Sequence, residues 1–142
     1  MKSYIILLIA TLSIVACNTK EAQNENNEEV AASTEPVQNI NPVKVDKEGL
    51  KKLMAENPDV QLVDVRTVNE TDLGHIEGAL IGMDFLSGEF KNRMNSIDKE
   101  KPVVVYCAKG GRSAKAAQEL VDNGYTVVYD YSGGYTDWSA DQ

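Results

Sequence analysis

With one histidine and two cysteines among 142 residues, the chain is short of the ligands from which metal sites are built, since a structural zinc site alone takes four thiolate or imidazole donors. It has no GxxxxGK[ST] stretch to cradle a phosphate and no GxGxxG dinucleotide fingerprint. Neither a metal nor another cofactor is therefore expected. Basic residues are outnumbered, with 14 Lys and Arg against 22 Asp and Glu, and the formal charge of −8 argues against a nucleic-acid partner and speaks mainly for solubility. No internal repeat is visible, and this length holds one domain of ordinary size. An apolar run of the roughly 20 residues that span a bilayer is also missing.

The one marked apolar run lies at the start. Lys2 precedes Tyr4-Ile5-Ile6-Leu7-Leu8-Ile9-Ala10, and small residues lead to Cys17, so residues 1–16 read as a secretory signal. The end of that segment, Ser13-Ile14-Val15-Ala16-Cys17, resembles the lipobox of bacterial lipoproteins. The resemblance implies that cleavage leaves Cys17 as a lipid-modified N-terminus. The chain is then exported and anchored on a bacterial membrane surface, on the periplasmic side or the cell surface, rather than through the bilayer. Asn18 after the cysteine is compatible with the outer membrane. An ordinary cleaved signal and a short N-terminal anchor are the alternatives. From Asn18 to Pro42 the chain is rich in Asn, Glu, Gln, Ser and Thr, too polar to bury a core, and it is expected to be a disordered tether with a reach of about 25–30 Å.

If Cys17 carries lipid, Cys107 has no partner within the chain. A solitary thiol in an oxidising compartment is unexpected for a structural residue. Cys107 follows the β-type run Pro102-Val103-Val104-Val105-Tyr106, and the helical pattern Ser113 to Val121 comes just after it. The intervening Ala108-Lys109-Gly110-Gly111-Arg112 supplies two glycines, which let successive N–H groups turn inward, and two cations, beside the orphan donors of a helix start. A thiol placed there is expected to ionise easily and to act as a nucleophile toward an anionic substrate. The competing reading is an inert buried thiol.

The rest of the chain reads as alternating strands and helices. Val43-Lys44-Val45 is a short strand, and Asp46 caps a helix to about Glu56 that presents Leu50, Leu53 and Met54 on one face. Val60 to Val65 reads as a central strand and Thr67 to Leu73 as a short helix stopped by Gly74. Ala79-Leu80-Ile81 reads as a strand, Phe85 to Ile97 as a helix, Tyr125 to Tyr129 as a strand after an Asn123-Gly124 cap, and a last helix carries Trp138 into the core. This order predicts an α/β fold in three layers, a mostly parallel open sheet with helices on both faces. A ligand then belongs at the carboxyl ends of the strands, where Cys107 sits.

The loop Cys107-Ala108-Lys109-Gly110-Gly111-Arg112-Ser113 resembles the active-site loop of the rhodanese (sulfurtransferase) family. Leu62-Val63-Asp64-Val65-Arg66 with Glu70, then Gly74-His75-Ile76-Glu77-Gly78-Ala79, and Gly133-Gly134-Tyr135-Thr136-Asp137-Trp138 follow the family's order over residues 43–142. The resemblance implies the same α/β architecture in single-domain form, taken here as a monomer. It also implies transfer of sulfane sulfur from a small anionic donor such as thiosulfate, through a persulfide on Cys107, to a thiol or cyanide. Loop N–H groups from Ala108 to Arg112 would hold the terminal sulfur or the leaving anion. Lys109 and Arg112 would orient the donor, and Ser113 would donate to the sulfur. The loop is one residue shorter than the Cys-(five residues)-Arg loop of cysteine phosphatases, and within the family the shorter form accompanies sulfur transfer. A non-catalytic sulfur carrier or redox sensor, and a phosphatase or arsenate-reductase-like enzyme, are the alternatives. Asp64 and Arg66 end a strand near the same pocket and are secondary candidates for substrate contact. The favoured reading pairs Arg66 with Glu70 as a structural stitch. His75, the only histidine, reads as a structural hydrogen-bonding residue because a thiolate stabilised by its loop needs no base.

Overall fold

The computed structural model describes residues 41–140 and 142. The expected signal segment, the expected lipidation of Cys17 and the expected tether up to residue 40 lie outside the described residues. Four parallel strands, β1 (Val43–Val45), β2 (Gln61–Asp64), β3 (Val103–Tyr106) and β4 (Val128–Tyr131), form one sheet in the order β1-β4-β3-β2. They are linked by α1 (Lys47–Glu56), α2 (Val68–Asp72), α3 (Glu89–Arg93) with a following 3-10 turn, α4 (Gly111–Asp122) and α5 (Gly134–Ser139).

The central strand shows why the sheet is covered on both faces. All four residues of β3 are buried, and side chains alternate along a strand. Val103 and Val105 pack with Ala116, Ala117 and Leu120 of α4 and with Phe90, Met94 and Ile97. Val104 and Tyr106 pack on the other side with Leu50 of α1, Ile76 and Tyr131, where Tyr135 and Trp138 of α5 close the edge. The result is the expected three-layer arrangement, with the strand ends at one edge of a rigid core.

Local chemistry sets the short elements. Asp46 caps α1 by accepting from the Gly49 N–H at 2.8 Å. Thr67 and Glu70 form a reciprocal capping box at the start of α2. Three expectations change. The stretch Ala79 to Ile81 contributes only a bridge between Leu80 and Val63, because the residues on either side turn away. The helix expected from Phe85 starts at Glu89, after a turn over residues 85–88, and ends at Arg93, with Met94–Ser96 in a 3-10 turn. The strand expected from Tyr125 begins at Val128. Tyr125 instead points into the core, its hydroxyl between the carbonyl oxygens of Met94 and Ile97.

Candidate active site

Cys107 is the first residue after β3, and the chain must pass from strand to helix within a few residues. The N-terminal amides of α5 shape that passage: Tyr135 N–H donates to the Cys107 carbonyl at 2.7 Å and Thr136 N–H to that of Ala108 at 3.1 Å. With its carbonyls held outward, the loop can turn its N–H groups toward the sulfur. Two glycines make the close approach feasible. A Cβ on Gly110 (φ 86°) would lie 2.4 Å from the Ser132 carbonyl oxygen, and one on Gly134 (φ 65°) 2.5 Å from the Cys107 carbonyl oxygen.

Gly110 N–H reaches Cys107 Sγ at 3.2 Å. Burial pushes the thiol's pKa up, but the N–H groups of Ser113, Lys109 and Arg112, with the Ser113 hydroxyl, pull it down further, and the net pKa lies below the usual thiol value. Cys107 itself is only 2% exposed and sits in the wall of a cavity of about 450 Å³. Phe85 and Leu86 line one part of that cavity. Ala108, Lys109, Gly111, Arg112 and Lys115 line the rest.

The charges around the loop are arranged differently from expectation. Arg112, expected to grip the donor, is gripped instead: Nη1 and Nη2 donate to the two carboxylate oxygens of Glu70 at 2.7 and 2.6 Å. Glu70 is held in place by the Thr67 N–H and hydroxyl at 3.0 and 2.9 Å. The Arg112 hydrogen bonds keep its pKa down at about 2. Arg66 therefore does not pair with the Glu70 carboxylate. Its Nε and Nη2 donate to the Asp64 carboxylate at 2.6–3.0 Å, and it reaches only the backbone carbonyls of Glu70 and Gly74, at 3.3 and 2.7 Å. The guanidinium stacks 4.0 Å from the Tyr135 ring centroid. Asp64 and Arg66 are 0% and 3% exposed and are not among the residues lining the cavity.

The Ser113 hydroxyl, expected on the sulfur, makes its shortest contact with Asp130 Oδ1 at 2.6 Å and another with the Gly110 carbonyl at 3.1 Å. His75 is exposed, with Nδ1 3.3 Å from the Thr71 carbonyl. Phe85, Leu86, Lys115 and Asp130 were not singled out from sequence. Lys115 alone carried a signal, being one helical turn beyond Gly111 and Arg112 on the same face. Among the described residues no group of three His, Cys, Asp or Glu side chains is placed to hold a metal, and no helix is long and apolar enough to cross a membrane.

A family model described as Rhodanese-like domain matches residues 46–141. The Bacillus subtilis protein YqhL is 44% identical over 78 residues, 55% of this chain and 60% of that protein, so the chain spans less than two thirds of that relative's length. The thiosulfate sulfurtransferase GlpE of Shewanella oneidensis is 35% identical over 85 residues, 60% of this chain and 81% of that one. A crystal structure of a rhodanese-like domain protein from Staphylococcus aureus superposes with a TM-score of 0.58 at 37% identity, covering 68% of this chain and 91% of that one.

Proposed function

The chain belongs to the rhodanese-like family, and from that premise we propose that it moves sulfane sulfur from a donor such as thiosulfate to a thiol or cyanide through a persulfide on Cys107. The observation that carries this reading is the convergence of backbone N–H groups on Cys107 Sγ, with Gly110 N–H at 3.2 Å and those of Lys109, Arg112 and Ser113 favouring the thiolate. The thiolate attacks the outer sulfur of thiosulfate, and the bond from that sulfur to the sulfite sulfur breaks. Its electron pair leaves with sulfite, and Cys107 keeps the transferred sulfur as a persulfide anion. An acceptor thiolate or cyanide then attacks the outer sulfur, and the Cys107 thiolate is restored. N–H groups fixed before the reaction stabilise the charge at each stage without reorganising.

With Arg112 committed to Glu70, the cations lining the cavity that have no ion-pair partner among the described residues are Lys109 and Lys115. They draw in the anionic donor, while Arg112 fixes the loop to α2. The same commitment weighs against phosphate-ester chemistry, because the guanidinium fork that would grip a phosphate is already filled.

The test is sulfite release from thiosulfate with cyanide as acceptor, together with mass spectrometry of the thiosulfate-treated protein, for the native chain and Cys107→Ser. The expected result is one added sulfur atom on Cys107 and turnover that disappears in the variant. Folded, fully reduced protein that gains no sulfur would overturn sulfur transfer and leave a redox role for the thiol to be examined. The proposal includes place: the apolar segment ending at Ala16-Cys17 supports export and a lipid anchor at Cys17. Metabolic labelling with a fatty acid, lost in Cys17→Ser, checks it.

A further inference from the structure

We infer that Asp130 is a positioning residue for Cys107, acting through Ser113 to set the acidity and nucleophilicity of the thiol. Asp130 is 2% exposed and Ser113 0% exposed, and neither side chain lines the cavity. The carboxylate lies at the base of a short chain of contacts. Its Oδ1 is 2.6 Å from Ser113 Oγ, which is 3.1 Å from the carbonyl oxygen of Gly110, whose own N–H donates to Cys107 Sγ at 3.2 Å.

Ser113 has a single hydroxyl hydrogen. With Asp130 ionised, that hydrogen points to the carboxylate and is withheld from the loop. With Asp130 protonated, the carboxyl donates to Ser113 Oγ, and the hydroxyl hydrogen turns toward the Gly110 carbonyl and the sulfur. Asp130 and Cys107 thus compete for one hydroxyl hydrogen, and ionising either makes the other harder to ionise. The charged group opposite Asp130 on β1 is Lys44, its register partner. On β3 the partner is Val105, with Cys107 two residues on, and from α4 the group is Ser113. Burial pushes the Asp130 carboxyl up, against the Ser113 hydrogen bond and the Lys44 charge. An ionised Asp130 keeps the thiolate more basic, and a more basic thiolate is a stronger nucleophile. The use made of this acidity rests on the sulfur-transfer reading, but the acidity itself is measured without it.

The experiment follows the rate of iodoacetamide alkylation against pH in the full-length chain, read by mass spectrometry at the Cys107 peptide, for native protein, Asp130→Asn, Ser113→Ala and the double variant. Asp130→Asn removes a negative charge, so the midpoint is expected to fall by about one pH unit. The plateau rate should drop by about threefold as the thiolate loses basicity. In the Ser113→Ala background the same substitution should shift the midpoint less than half as far. Coincident curves for native and Asp130→Asn, both folded by circular dichroism, would overturn the inference. So would a shift that survives undiminished without Ser113. If the shifts appear while thiosulfate leaves no sulfur on Cys107, the inference stands and the sulfur-transfer reading falls.

Discussion

Strands β2 and β3 end side by side, with Asp64 opposite Tyr106, yet the two ends do opposite things with polar groups. After β2, Asp64 and Arg66 close on each other: both are buried, the guanidinium donates to the carboxylate and to two carbonyls, and aromatic rings cover its face. After β3, the donors are backbone amides and their target is a sulfur atom. Charges that complete one another make structure, because nothing is left for a ligand. Donors fixed around an atom that can change its charge and bonding leave room for chemistry.

The difference is broken most severely on the structural side. Arg66→Ala leaves the buried Asp64 carboxylate without its cation, keeping the N–H of residue 66 as a donor, and a loss of about 3–5 kcal/mol is expected in urea unfolding, with any folded remainder still able to take up sulfur. Gly134→Ala strikes the other end. The added methyl meets the Cys107 and Ala108 carbonyls at a positive φ, which costs about 1–3 kcal/mol and turns the loop amides away from the sulfur. The Cys107 midpoint in the alkylation assay should therefore rise.

Glu70→Gln tests the tie between α2 and the loop. A partly exposed pair is expected to contribute about 1 kcal/mol. The Glu70 carboxyl is depressed from 4.5 to about 2, so its contribution is complete above about pH 4.5 and is lost as pH falls toward 2. Native stability should decline across that window, and the variant's decline should be shallower. The smallest effect is expected for Lys115→Gln, a rise of about threefold in the KM for thiosulfate with kcat unchanged, weaker at high salt.

What could be read in the sequence was local. A strand, two glycines and a helix start within a dozen residues identify the Cys107 loop, because the amides that face the sulfur all belong to that stretch. The partners of Arg66 and Arg112 were not legible in the same way. Glu70 lies four residues from Arg66 and 42 from Arg112, and closeness in sequence favoured the wrong arginine. The strand-to-turn geometry folds Arg66 back onto Asp64, leaving the Glu70 carboxylate to face α4. Asp130 was hidden for a related reason. The strand read from the sequence ended at Tyr129, one residue short of it, whereas β4 runs on to Tyr131 and a parallel sheet covered on both faces buries the acidic residue. Phe85 and Leu86 reach the cavity from a turn whose course depends on the rest of the fold.

The edge strand adds a matter of timing. Among the described residues Val43–Val45 pairs with Tyr129–Tyr131 alone, so the first of the described strands waits for the last of them. Until β4 is available, β1 has no strand partner among the described residues, and this sheet is completed only once residues 128–131 have joined it. Contacts so far apart in sequence slow folding, and a nascent chain halted before β4 would lack both the strand that β1 needs and the helix whose amides shape the Cys107 loop. The sheet and the site are completed by one stretch, residues 128–139.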